Sequence, residues 1–546
     1  MTSEGTMPES EIEPSESVDS APFRSSTARW ALLGLLVVLL FGGYARVRLL
    51  RNSSPYVLHE DELIATRRAA SMLENGDWNP RFFRYPTLTI YLTAVSFGAS
   101  HLVQGETVST ETGALEPIYE RPEIGLASRY LMIGLSLATM VFVGALARRV
   151  FDSDAMLFLA PLCLLASPRF LMMSWTYVNV DLVGACVCTG ALWLLFATRH
   201  RDSWLTRAAL PGLLTGLAVG AKYYLGLIGL PAACVILASG RKHMARNITI
   251  VVVMTVIGFL ISTPYSVLDT ELFVSQVQRE MDHYAGSHKG ADAEPGLAQL
   301  LYYLGRTWDE FGWGPCLFGL VGIVAGLRRD ARKTGLLLAF PIALLLFLST
   351  QRVHFIRNFL SVYALFPAFI AFGVYATWRL SMAKLPDANA LTKGLLAGVF
   401  VATFVLTAPF KLIWNSHTAR ADSRNQAVEW IQEHAARGTK VMIAEELMFD
   451  ARALEKHFEV EFGPLVSLAK PSTINELSSL ESPTLFVVPE VKRDSNLEKH
   501  FGRSTLRVLR RLDRSLQVGK HAIPRESKRL LHLGNPALEI RSTTSP

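Results

Sequence analysis

Apolar runs of about 20 residues alternate with short basic segments along most of this chain, and the alternation stops near Pro409. A run of that length is enough to cross a bilayer as a helix. Backbone groups there have no water partner, so helix is the conformation that satisfies them. The runs Trp30–Leu50, Ala127–Ala147, Val180–Ala197, Tyr223–Ala238, Gly312–Leu327 and Phe359–Trp378 carry the pattern. It predicts a polytopic α-helical membrane protein with about 11 spanning helices.

Basic clusters fix the expected orientation. Arg148-Arg149, then Arg199, Arg201 and Arg207, follow successive runs. So do Arg241, Lys242 and Arg246, then Arg328, Arg329, Arg332 and Lys333, and finally Arg379 and Lys384. Lys and Arg accumulate in cytoplasmic loops. The N-terminus is therefore expected in the cytoplasm, and Ser174–Asn179, Lys222, Ser266–Phe311 and Gln351–Asn358 outside. Parity then forbids Tyr85–Val103 from being a simple span. It is short and carries Thr87, Thr89, Thr93 and Ser96, so it is expected to lie along or dip into the membrane within one outer loop, residues 51–126. The Ala208–Ala238 region reads as two short spans broken at Gly220-Ala221-Lys222-Tyr223, and a lysine at such a break marks a polar cavity or an interface.

After Pro409 the chain turns polar. Ala421–Ala436 reads as a helix, and Thr439–Ala444 and Pro483–Pro489 as buried strands. The expected division is a disordered cytoplasmic tail (1–28), a membrane unit (29–410) and an extracytoplasmic α/β domain (411–546). Met1–Ser20 is acidic and rich in Ser, Glu and Pro, too poor in apolar residues to build a core and lacking a signal peptide's basic start. The net charge of +7 reflects loop Lys and Arg, and no basic-aromatic constellation points to nucleic acid. Cys163, Cys186, Cys188, Cys234 and Cys316 sit in or beside apolar runs and read as packing residues. No metal-ligand spacing is present, so no cofactor and no obligatory metal is expected.

The chemistry concentrates in His59-Glu60-Asp61-Glu62, at the head of a helix that Gly76 can end. Asp61 can serve as that helix's N-cap. It can equally act as a carboxylate base on an acceptor hydroxyl or amine. Glycosyl transfer from a phosphate-linked donor needs such a base, and cations for the departing phosphate. Cations on the same side are Lys222, Arg352, Arg357 and Arg84, with His354. Asn179 and Asp181 end the outer segment Ser174-Trp175-Thr176-Tyr177, and an Asp at the mouth of a span is costly unless it faces a cavity or a partner. His283, Tyr284, His288 and Lys289 are loop candidates for substrate contact.

The segment HEDELIATRRAASMLENGDWNPRFFRYPTLTIYL resembles the first outer loop of GT-C-type glycosyltransferases, the protein O-mannosyltransferases and lipid A aminoarabinose transferases above all. The matching features are Asp61-Glu62, Gly76-Asp77-Trp78, and Tyr85-Pro86 followed by Tyr91. ASRYLMIGLSLATMVFVGALARRVF, LLASPRFLMMSWTYVNVDL, GLLTGLAVGAKYYLGLIGLP and RVHFIRNFLSVYALFPAF extend the likeness over Trp30–Phe410. The resemblance implies a polyprenyl-phosphate sugar donor, membrane lipids as surroundings, and inverting transfer outside the cytoplasm. It implies that Asp61 is the catalytic base or positions the acceptor, and that Arg357 and Lys222 contact the lipid phosphate; Glu62 beside Asp61 is a second catalytic candidate, and Arg352 and Arg84 are further phosphate candidates. Substrate contacts are expected from His59, Tyr85, Tyr177, Asn179 and Asp181, and from His283 and His354. The chain departs from the aminoarabinose branch at Ile64 and Tyr85, where that branch is basic. A transporter, flippase or non-catalytic binder of lipid-linked saccharides is the alternative; transporters carry internal repeats, and none is apparent here.

Overall fold

The computed structural model describes residues 26–54, 56, 59–104, 122–198, 203–238, 243–288, 291–386, 389–407, 422–447, 449, 451–464, 484–489, 507–512 and 538–542. The Met1–Ser20 tail, the acidic stretch 105–121 and Lys289 lie outside the described residues.

The apolar runs fold as helices. In chain order they begin α1 (Ser26–Ser53), α2 (Glu60–Asn75), α3 (Leu88–Gln104), α4 (Pro122–Phe151), α5 (Met156–Leu165), α6 (Pro168–Met173) and α7 (Val180–Thr198). Next come α8 (Leu210–Ala221), α9 (Gly229–Ala238), α10 (Met244–Ser262), α11 (Tyr265–Leu268), α12 (Thr270–Ala285) and α13 (Leu297–Phe311). The bundle closes with α14 (Trp313–Arg329), α15 (Ala331–Ser349), α16 (Leu360–Lys384) and α17 (Ala390–Thr407). By length and composition, α1, α4, α7, α10, α15 and α16 can each cross a membrane. The pair α13–α14, bent by 113°, makes up to seven, and α3, α5, α8, α9 and α17 are shorter apolar helices. The protein is therefore a multi-pass membrane protein.

Small residues let these helices approach closely, as packing in lipid requires. A Cβ on Gly322 would collide with the Phe369 carbonyl, and one on Gly373 with that of Phe318, so α14 and α16 are in backbone contact. Gly216 and Gly258 do the same for α8 and α10. The expected break at Lys222 is present: Lys222 is extended (φ −156°, ψ 129°) between α8 and a 3₁₀ turn, Tyr223–Ile228. Helix α3 begins after Tyr85-Pro86, where the proline bars its predecessor from helix. Four of the cysteines are buried as expected, whereas Cys234 is exposed on α9.

Beyond α17 the polar part forms a five-stranded mixed sheet under α18 (Ser423–His434). The strands are β1 (Lys440–Ala444), β2 (Glu459–Gly463), β3 (Thr484–Pro489), β4 (Arg507–Leu512) and β5 (Leu538–Ser542), in the order β2-β1-β3-β5-β4. β1 pairs parallel with β2 and β3, and β5 pairs antiparallel with β3 and β4. Ala427 and Ile431 of α18 bury against Val441, Ile443, Phe486 and Val487. The Asp422 N–H donates to Asn52 O at 2.7 Å and Asn425 Nδ2 to Ser54 O at 2.9 Å, so this unit sits at the C-terminal end of α1.

Candidate functional site

Helix α2 starts two residues earlier than the sequence suggested. His59, extended at φ −152° and ψ 134°, is its N-cap, and its Nδ1 accepts the Asp61 N–H at 2.9 Å. The expectation that Asp61 caps the helix is thus corrected: Asp61 stands inside the first turn. Its carboxylate is released from capping and turns to a small cavity. Gly76 closes α2 in the left-handed conformation at φ 66°, as expected.

The cavity is bordered by Asp61 from α2, Tyr85 before α3, Tyr177 and Asp181 around the start of α7, Lys222 at the broken helix, and Arg357 before α16. Ile64, Phe82, Pro86 and Ile90 supply an apolar wall. Four charges face each other here. Arg357 Nη1 is 2.9 Å from Asp61 Oδ2, and its Nε is 4.0 Å from Asp181 Oδ2. Lys222 Nζ donates to Asp181 Oδ1 at 2.6 Å and to Asn358 Oδ1 at 2.7 Å. Two acids and two bases give a neutral quartet, which is how buried charge is tolerated. Lys222 and Asp181 are each at most 5 % exposed, whereas the Asp61 and Arg357 side chains keep 26 % and 19 %.

Two phenols complete the wall. Burial pushes the Tyr85 hydroxyl up to about 12, with Arg357 pulling it back, so it remains a donor. Burial likewise raises Tyr177, with Arg357 beside its hydroxyl pulling it back, and His59 stacks on its ring at 4.2 Å.

The other expected residues have different positions. Asn179 borders the cavity, but its amide serves the chain: Oδ1 accepts the Leu182 N–H at 2.8 Å, and Nδ2 donates to Met173 O and Tyr177 O. Glu62 is sealed away from the cavity, bound by Arg129 through bonds of 2.8 and 2.7 Å. Arg84 pairs with Glu280 of α12 at 2.9 Å. Arg352 pairs with Glu294 at 3.5 Å near the surface. His354 is buried against the Tyr302 ring at 3.8 Å, with Nδ1 3.1 Å from Gln299 Oε1. His283 packs on Tyr284 and on Phe355, whose ring also carries the Arg357 guanidinium at 4.9 Å. The Tyr284 hydroxyl accepts Asn358 Nδ2 at 3.2 Å, one bond removed from Lys222. Sequence reasoning missed Asn358, the second ligand of Lys222, although it adjoins Arg357. It also missed Arg129, an arginine in an apolar run, which requires a buried acid. Among the described residues no group of three His, Cys, Asp or Glu side chains could hold a metal ion.

Residues 125–267, about a quarter of the chain, match the family described as dolichyl-phosphate-mannose-protein mannosyltransferase. No curated protein matches the chain. Among solved structures, it is similar to the Archaeoglobus fulgidus oligosaccharyltransferase in the apo form, with TM-score 0.50 and 13 % identity over 84 % of this chain and 69 % of that one. It is also similar to ArnT from Cupriavidus metallidurans bound to undecaprenyl phosphate, with TM-score 0.48 and 15 % identity over 95 % and 99 %. The class is the multi-pass GT-C-type membrane fold. Within it, the likeness to the mannosyltransferase family that the first loop suggested is found in the segment from α4 to α11.

Proposed function

We propose that the protein is a GT-C-type membrane glycosyltransferase that moves a sugar from a polyprenyl-phosphate donor to an extracytoplasmic acceptor, with inversion at the anomeric carbon. The observation that carries this reading is the Asp61–Arg357 contact, a carboxylate and a guanidinium paired at 2.9 Å on the wall of one cavity. The acceptor oxygen attacks the anomeric carbon while the bond from that carbon to the phosphate oxygen breaks. Asp61 takes the acceptor's proton, and the polyprenyl phosphate leaves with the electron pair. Arg357 stabilises the charge gained by that phosphate, since its planar fork can hold two oxygens. Before donor arrives, Asp61 occupies Arg357. The donor phosphate therefore displaces Asp61 from the guanidinium, and the carboxylate becomes a free base only when there is something to react with.

In this reading the site end of the bundle faces outside. Counting α5, α8, α9, α14 and α17 as crossings brings the total to roughly eleven. That puts the start of α1 and the C-terminal unit on opposite sides, and leaves α3 as a helix that begins and ends outside. The chain then divides into a tail to residue 28, a membrane unit over 29–410 and an outer unit over 411–546.

The test is release of undecaprenyl phosphate from a panel of undecaprenyl-phosphate monosaccharides by purified protein in nanodiscs with cell-envelope acceptors. Wild type is expected to release it and Asp61→Asn to bind donor without release. Donor bound but consumed by neither protein supports the flippase or binder alternative.

A further inference from the structure

Away from the cavity, a second buried charge network runs from the C-terminal unit to the start of α2. Asp422 and Arg424, at most 1 % exposed, pair at 2.9 Å, and Asp422 caps α18 through the Arg424 N–H. The guanidinium donates to Leu447 O at 2.9 Å and lies 3.7 Å over the ring of Tyr56, which sits between α1 and α2. A cation over a ring face is attracted by the ring's negative centre, more strongly where water is excluded. Tyr56 then hands the link on: its carbonyl accepts Arg129 Nη2 at 2.8 Å. Arg129 grips both oxygens of Glu62, the residue after Asp61.

We propose that Arg424, Tyr56, Arg129 and Glu62 form a positioning relay, by which the C-terminal unit fixes the start of α2 and so the aim of Asp61 at Arg357. Its catalytic meaning rests on the reading of Asp61 as base; the mechanical link does not. A bidentate Arg129–Glu62 pair permits one placement of the first turn of α2, because both guanidinium bonds have fixed directions. The Arg129 guanidinium is itself anchored by the Tyr56 carbonyl, and the ring of Tyr56 carries Arg424 on its face and lies 6.2 Å from the Phe449 ring. Side chains held by such a second layer keep a reacting group within the narrow tolerance that catalysis needs. Glu62, adjacent to the base and absent from the cavity, thereby acquires a role: it positions rather than reacts.

The experiment is hydrogen exchange on the full chain in nanodiscs. Asp422→Asn/Arg424→Met removes both charges of the C-terminal pair together. It is expected to speed exchange of the α2 amides at least tenfold, although the substitutions lie in another unit. Tyr56→Leu should do the same, and Tyr56→Phe, which keeps the ring and the carbonyl, should match wild type. Release of undecaprenyl phosphate should fall about tenfold in the first two variants, with undecaprenyl phosphate itself bound within twofold of wild type. Acceleration confined to residues 422–464, with α2 as slow as in wild type, overturns the relay. If the double variant does not insert, the Tyr56→Leu and Tyr56→Phe pair decides: equal α2 exchange in the two overturns it. Failure of wild type to consume any donor overturns the functional reading and leaves the exchange result standing.

Discussion

Asp61 and Glu62 stand side by side on the first turn of α2, yet Asp61 borders a cavity with 26 % of its side chain exposed, whereas Glu62 keeps 1 % and is sealed by Arg129. Each has an arginine at hydrogen-bond distance. The difference lies in what surrounds the pair. Arg357 has one Nη on Asp61, a second acid 4.0 Å from its Nε, and open volume beside it. Arg129 spends its donors on Glu62 and the Tyr56 carbonyl, with no cavity lining from either side chain. In the proposed mechanism the first pair exchanges a partner and the second holds the helix in place.

Substitutions should separate the two. Asp61→Asn should lower turnover by roughly 10²–10⁴, the contribution of one positioned base. Its melting temperature should stay close to wild type, and undecaprenyl phosphate should bind at least as tightly, because Arg357 loses its competitor. Weaker binding in titration would break the exchange of partners on Arg357. Glu62→Ala should act in the opposite sense, destabilising the fold by about 3–5 kcal/mol through the uncompensated Arg129 charge, as read by thermal unfolding in detergent. Arg357→Ala should weaken undecaprenyl phosphate binding by about 1.5–3 kcal/mol, the worth of a hydrogen bond to a charged group. Gly322→Ala should cost about 1–3 kcal/mol by forcing α14 off α16 without touching either acid, which gives a stability control for the site variants. Lys440→Ala, at the exposed Lys440–Glu461 pair, should change stability by about 1 kcal/mol or less.

Much of this was legible along the chain. The apolar runs gave α1, α4, α7 and α16, because a bilayer demands long apolar helices whatever surrounds them. Lys222 announced its break, and Asp181 its need of a partner, since a charge at the mouth of a span cannot stay unpaired. The polar region after Pro409 yielded α18, β1 and β3 within a residue or two of their observed ends. The site was legible in part. Asp61, Tyr85, Tyr177, Asp181, Lys222 and Arg357 meet at one cavity, while Arg84, Arg352, His354 and His283 share its side of the chain and go elsewhere.

What the sequence determined by itself is the multi-pass helical architecture, the broken helix at Lys222 and the acidic start of α2. These follow from hydropathy and local backbone chemistry, which act over one or two turns. Tertiary structure alone decided which acid faces the cavity. Asp61 and Glu62 differ by one residue, a rotation of about 100° on a helix of 3.6 residues per turn. That rotation is set by His59 capping the turn and by Arg129, which stands 67 positions away in sequence and is buried against Glu62. No local signal carries a distance of that kind, because the partner is chosen by helix packing.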